Sequence, residues 1–424
     1  MRTLIAFALA TASFSAFAGN ANLDAPRRGD LVATRTVALP APSGQIERQP
    51  VSFSWKLDPN AAVTEQTPFA SESREYWTQV DSAELTRGFA IDTTAPGAVI
   101  RISPIGKAVP VPADNLMLLR DGRAISSTQS FARRTTAAQL QEAGMDIDNG
   151  AAVVQIAPGL GKGRFQVLMP EASGRYLVHV FEPESEYVLQ ARASQANVLA
   201  GGDVEVSAVL GKGDAGLPGS QLAGLLVSPS GKSYDLSFDR NGRALAHIPV
   251  DAGTEPGLWD VQVFAGASQG EGRIQRDTRT AIAVAQPTAR LGNGVSFDAL
   301  RLGFSVPVQV GSPGRYELRG TLFATGPDGL ARPVSEAHSA AWFERGNRSL
   351  ALAFDRSHLP PGYGAPFEVR QVQLNDQSRM GQLESRDLAV RVGTQGPFLP
   401  APPAPVSPVV APTRGRGNAG RFDR

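Results

Sequence analysis

Through most of the chain, hydrophobic residues recur at every second position, in short runs punctuated by Gly, Pro, Asn and Asp. VSFSWKL (51–57), AVIRISPI (98–105), YVLQARA (187–193), VEVSAVLG (204–211) and LWDVQVFA (258–265) all follow this pattern. So do ALRLGFSVPVQV (299–310) and RYELRGTLFAT (315–325). A period of two puts alternate side chains on opposite faces of an extended strand. Helical periodicity is scarce. Thr136-Ala137-Ala138-Gln139 spells a capping box, Leu140 continues the helix and Gly144 stops it. SREYWTQV (73–80) fits either a helical turn or a strand.

The runs divide the chain. Residues 19–50 are turn-rich and read as a weakly ordered lead. Residues 51–182 form a β-rich first domain, irregular in spacing, with the short helix. FQVLMP (165–170) and RYLVHVFE (175–182) are expected to close it as a hairpin around EASG. Residues 183–287 carry seven short strands with frequent turns, the pattern of a β-sandwich. SPSGKS and DRNGR lie between alternating runs, and Asn241-Gly242 predicts a hairpin there. Residues 288–393 repeat the scheme, and 394–424 form a Pro/Arg-rich disordered tail. The fold class is therefore mainly β: an irregular N-terminal domain followed by two tandem Ig-like sandwiches. SGRYLVHV, PGLWDVQV and PGRYELRG each set Tyr or Trp two residues after a Gly, ahead of a strand. For the second, Trp259, Val261 and Val263 are expected to face inward, with Asp260 and Gln262 outward.

Composition adds the compartment. Met1-Arg2-Thr3, the apolar Leu4 to Ala10 and Ala16-Phe17-Ala18 have the order of a signal peptide over 1–18, so export is expected, periplasmic or extracellular. No later stretch is long and apolar enough for a transmembrane helix. With no cysteine, disulfides, a Cys nucleophile and Cys-bound zinc are excluded. A balance of 41 basic and 40 acidic residues argues against nucleic acid as a partner.

Few residues carry candidate chemistry. Gly266-Ala267-Ser268-Gln269-Gly270 matches the G-x-S-x-G nucleophile elbow, which needs a helix after its serine. Here another strand follows, so Ser268 is read as part of a turn and no catalytic residue is assigned. The four histidines are well separated, and His338 shares strand spacing with Glu336. MDIDNGA is one residue short of a calcium loop and lacks its closing Glu. Glu182, Glu184 and Glu186 in FEPESEY fall at period two. On one face of an extended segment they form a candidate metal site at the junction of the first two domains, for which calcium is the fitting cation; the alternative is a solvated acidic linker. No other cofactor is expected. Trp55, Tyr76 and Trp77 break the repetitive pattern of the first domain and are the candidate ligand-binding residues; the alternative is core packing.

The stretch GGDVEVSAVLGKGDAGLPGSQLAGLLVSPSGKSYDLSFDRNGRALAHIPV resembles the immunoglobulin-like or macroglobulin-like modules of bacterial exported proteins. The thioester of macroglobulins proper needs Cys, so the resemblance extends to the module alone. With SREYW, APGAVIRISP and PFEVRQVQLNDQSRMG, the pattern over 70–393 resembles an uncharacterised family of secreted Gram-negative proteins, a domain of unknown function with Ig-like parts. That resemblance implies no catalytic residues. The expected function is non-catalytic binding of a protein or an envelope polysaccharide. The alternatives are a secreted hydrolase with its site in the first domain, and a structural spacer.

Overall fold

Alternation of apolar and polar residues becomes, in the computed structural model, strands that bury one face each. Residues 18–61, 67–213, 215–270 and 272–393 are described. Residues 1–17 of the expected signal peptide (1–18) and the expected tail 394–424 lie outside them. The fold is mostly β, and its sheets are antiparallel apart from one short parallel pair, Asn197–Leu199 with Gly272–Ala285. Among the described residues three large cores follow one another along the chain, each between two sheets, and a small fourth cluster holds Ala137, Ile147 and Ala151.

In the first, strands run in the order Glu75–Asp81, Arg175–Phe181, Val99–Ile105, Ala152–Ile156, Phe131–Thr136. The facing sheet holds Phe89–Thr93, Gly163–Leu168, Met117–Arg120 and Arg123–Ala124. Ile100, Phe165, Val167 and Tyr176 fill the space between them. SREYWTQV is thus a strand. The helix Ala137–Glu142 starts at the Thr136 capping box, as its sequence requires. A second short helix, Ser82–Arg87, is capped by Asp81 and Glu84 in the same reciprocal way. Its D-x-x-E signal is equally plain in the sequence, though it was not expected.

Two expected hairpins are not hairpins. Gly163–Leu168 and Arg175–Phe181 lie in opposing sheets, so EASG carries the chain across the core. Likewise Ser233–Ser237 pairs with Gln221–Val227, while Arg243–His247 pairs with Asp203–Lys212 in the other sheet of the middle sandwich. The DRNGR turn forms, with Asp239 Oδ1 accepting N–H bonds from Asn241 (2.8 Å) and Arg243 (2.9 Å). A turn signal specifies reversal; which sheet receives the next strand depends on the core. SPSGKS does close a hairpin, Gln221–Val227 with Ser233–Ser237.

Trp259, Val261 and Val263 face the middle core, as expected. The equivalent Tyr residues pin corners. Tyr316 Oη donates to the Ser312 carbonyl (2.6 Å), and Tyr176 Oη lies 3.1 Å from the carbonyls of Ser173 and Val109.

The largest departure is at the N-terminus. Residues 19–50 are not a loose lead. Ala18–Asn22 pairs with Gly294–Asp298, and Val51–Lys56 pairs with Ala331–Phe343, so this segment adds one strand to each sheet of the C-terminal sandwich. Between them Leu31 and Ala33 enter the C-terminal core, and Val37 N–H bonds to Pro287 O at 2.9 Å. VSFSWKL therefore sits on the last sandwich and not in the first. Ala70–Ser73 similarly pairs with Tyr187–Ala193 of the middle sandwich.

Candidate functional site

The sheet that Val51–Lys56 joins has the order Val51–Lys56, Ala331–Phe343, Gly314–Thr325, Gly364–Asp376, Gly381–Val392. Tyr316, Leu318 and Leu322 point into the core. The alternate residues point out. The register puts Phe53 opposite His338 and Trp55 opposite Glu336; the next strand sets Arg319 opposite His338, and the one after sets Gln373 opposite Arg319. On this outer face Phe53 and Trp55 remain 53% and 39% exposed.

The Phe53, Trp55 and His338 rings cluster. Their centroids lie 4.9–5.8 Å apart, with interplanar angles of 12°, 23° and 32°. His338 is gripped from both sides: Nδ1 lies 2.8 Å from Glu317 Oε1 and Nε2 lies 3.1 Å from Glu336 Oε1. Asn375 Nδ2 donates to the other Glu317 oxygen at 3.2 Å. Further along the same strand, Arg48 covers Trp342 at 4.2 Å. The result is an outer sheet face with exposed rings bordered by hydrogen-bonded carboxylates, an amide and a guanidinium.

The sequence-derived ligand residues do not meet. Trp55 belongs to this face. Tyr76 is 3% exposed and packs in the first core. Trp77, on the opposite face of the same strand, stacks on His179 with centroids 3.9 Å apart and planes 9° apart. His179 Nε2 lies 2.9 Å from Glu75 Oε2. Phe53 and Glu317 went unnoticed, although the alternation in VSFSWKL already aligned Phe53 with Trp55.

The three junction glutamates also separate. Glu182 is fully buried; Glu184 and Glu186 are exposed in the turn that follows. The charge on Glu182 is met by Arg276 of the middle sandwich, whose Nη2 lies 2.6 Å from Oε2. Glu182 also accepts N–H bonds from Thr94 and Ala95, and Arg276 donates to Tyr187 O (3.1 Å), Gln275 O (2.7 Å) and Ser185 Oγ (2.8 Å). Removing one partner of a buried pair like this costs about 3–5 kcal/mol. Glu186 instead pairs with Lys212 at 2.8 Å. The expected shared face fails because the chain turns at 183–186 and buries only the first carboxylate. Among the described residues no group of three or more His, Asp or Glu is placed to hold a metal.

Ser268 lies in the long hairpin of Trp259–Gln269 with Gly272–Ala285, opposite Arg273. A strand follows it, and its side chain is exposed. In MDIDNGA, Asp148 pairs with Arg101 at 2.8 Å and Asn149 accepts from Gln141 at 3.0 Å. A cleft of about 310 Å³ in the first domain is lined in part by Asp114 and Glu171. No helix among the described residues is long and apolar enough to cross a membrane.

Comparison with known proteins agrees with this architecture. Residues 42–182 match the model of the N-terminal domain of a domain of unknown function, DUF4785, and residues 288–393 match that of its C-terminal domain. A crystal structure of a DUF4785 family protein from Legionella pneumophila has a TM-score of 0.66 at 21% identity, covering 85% of this chain and 99% of that one. A Salmonella alpha-2-macroglobulin structure is similar at 11% identity over 77% of this chain and 24% of that one, with a TM-score of 0.20. No curated protein matches. With both terminal domains matched and one fold shared along the chain, this protein belongs to the DUF4785 family.

Proposed function

We propose that this is an exported, non-catalytic binding protein of the cell envelope, and that its ligand is a polysaccharide held on the outer face of the C-terminal sandwich. The observation that carries the reading is the exposure of Phe53 and Trp55, at 53% and 39%, beside an imidazole fixed by two carboxylates. Leaving such rings in water is costly unless a partner covers them. Aromatic rings pack on the CH faces of sugar rings, and the neighbouring Glu, Asn, Gln and Arg side chains match the hydroxyls around them. The core of a protein–protein interface, by contrast, is depleted of charge. An open sheet face also suits an extended polymer better than a pocket would. Export rests on the order of basic start, apolar run and Ala16-Phe17-Ala18.

The test is retention on immobilised envelope polysaccharides, with Leu245→Ala, an exposed apolar change on the middle sandwich, as control. Trp55→Ala is expected to weaken retention about 10- to 100-fold, the range of an aromatic anchor. Equal retention by Trp55→Ala and wild type rejects the face. Turnover of a polysaccharide or ester panel by the wild type would instead favour the hydrolase reading and direct attention to the Asp114/Glu171 cleft.

A further inference from the structure

The Val51–Lys56 strand is the edge of its sheet, and its open side carries a second signal. Leu57 N–H bonds to Val334 O at 3.0 Å, which fixes the phase of the ladder. In antiparallel pairing the residues that bond to the neighbour alternate. Val51, Phe53 and Trp55 therefore turn their backbone toward Ala331–Phe343. Ser52, Ser54 and Lys56 turn theirs outward, where no strand among the described residues pairs with them. Pro50 and Pro59 bound the segment, so a pairing partner has little room to slip.

The open side is self-complementary. A second copy, related by a two-fold axis perpendicular to the sheet and passing beside Ser54, sets Ser54 against Ser54 of the second copy. Ser52 then faces Lys56 of the second copy, and Lys56 faces its Ser52. Among the described residues nothing bonds the N–H and C=O groups of these three, so each meets a partner in the second copy. The intervening pair, where side chains approach more closely, sets Phe53 beside Trp55 of the second copy, and the reverse, on the outer face. A one-residue shift would instead oppose residues of opposite faces and lose the ladder. Edge strands are commonly blunted by charge or bulges. This one has a single terminal Lys and three exposed apolar side chains: Val51 at 44%, Phe53 at 53% and Trp55 at 39%.

We propose that this edge is a homodimer interface: two copies pair antiparallel through Val51–Lys56 about Ser54, joining the two C-terminal sheets and their aromatic clusters into one continuous outer face. The interface is isologous, the commonest symmetry of soluble oligomers. It goes beyond the saccharide reading and is measured separately from it.

Because the chain has no cysteine, Ser54→Cys supplies a single thiol at the axis. Directly opposed strand residues have Cα atoms about 5.5 Å apart, within disulfide range. Under mild oxidant, Ser54→Cys is expected to yield disulfide-linked dimer at least tenfold above Ser296→Cys, a control at an exposed site on the other sheet. In sedimentation velocity across a concentration series, the wild type should move from monomer to dimer. Ser52→Pro deletes one outward N–H, a change an edge strand tolerates, and should shift the midpoint at least tenfold upward with an unchanged melting curve. A wild type that stays monomeric with no excess cross-link overturns the proposal. So does a dimer indifferent to Ser52→Pro, or an edge that captures an added extended peptide in preference to its own copy. A wild type that stays monomeric yet is retained on polysaccharide through Trp55 would refute this inference alone; a wild type that dimerises but is not retained would refute the saccharide reading alone.

Discussion

At the scale of single residues, the first two domains are locked by charges that sequence spacing hides. Asp277 accepts the Trp77 backbone N–H at 2.8 Å across that junction. Burial pushes its carboxyl from 3.8 up to about 6, against the Trp77 bond; Glu75 adds to the rise, and Arg279 and His179 oppose it. A carboxyl that holds its proton more tightly folded than unfolded makes the native state bind more protons between those values. Stability is therefore lost as pH rises from about 4 to 6, and the ionised group is a liability above that window. Asp277→Asn keeps an acceptor for Trp77 without the charge. Thermal melts at pH 8 are expected to show it more stable than wild type by about 1–2 kcal/mol, with the difference gone at pH 4. Equal Tm differences at both pH values would refute the assignment. Glu75 works in the opposite sense: the His179 hydrogen bond holds its pKa low, so its contribution is present at neutral pH and lost in acid.

At the scale of elements, a turn fixes where the chain reverses, and the core decides which sheet the next strand joins. The DRNGR turn hands the chain from Ser233–Ser237 to Arg243–His247 across the middle core, with Gly242 at φ 72°. A Cβ there would collide with the Ala208 carbonyl oxygen. That carbonyl belongs to the strand the turn passes, and Gly242 O in turn accepts the Ala208 N–H at 2.8 Å. Gly242→Ala is expected to cost about 2–4 kcal/mol through positive φ and the clash together. Urea unfolding measures it, and a cost below about 1 kcal/mol would mean the turn rearranges freely. The Asn-Gly pair made this turn legible from sequence, yet the same pair predicted the wrong partner strand. Hairpin statistics describe two strands, whereas a sandwich can satisfy the same reversal by burying the second strand against the facing sheet.

At the scale of the whole molecule, the chain is closed on itself: its first strands complete its last sandwich. Both C-terminal sheets take a strand from residues 18–56, and Leu31 bridges to Ser385 between them. A fragment of residues 288–393 alone would expose the sides of Gly294–Asp298 and Ala331–Phe343 and lose Leu31 and Ala33 from its core. It is expected to aggregate or melt well below the intact protein, and residues 18–61 supplied in trans should restore a cooperative melt. Independent folding of the fragment with unchanged Tm would show that the N-terminal strands are ornament. The same closure places Trp55 on the outer face of the C-terminal sandwich, because its partner strand lies near residue 336.

What the sequence determined alone is what local chemistry enforces. Period-two alternation produced strands, Thr136 and Gln139 started a helix, a strand and not a helix follows Ser268, and Trp259 with Val261 chose the inner face. His338 and Glu336 could be placed on one side because residues two apart on a strand share a face. Tertiary structure alone decided which segments meet. It delivered Val51–Lys56 to a distant sandwich, set Phe53 and Trp55 over His338, and gave Glu182 a guanidinium from Arg276. These choices depend on burying apolar area and pairing edges over hundreds of residues, and alternation is blind to them because every strand in the chain offers the same period.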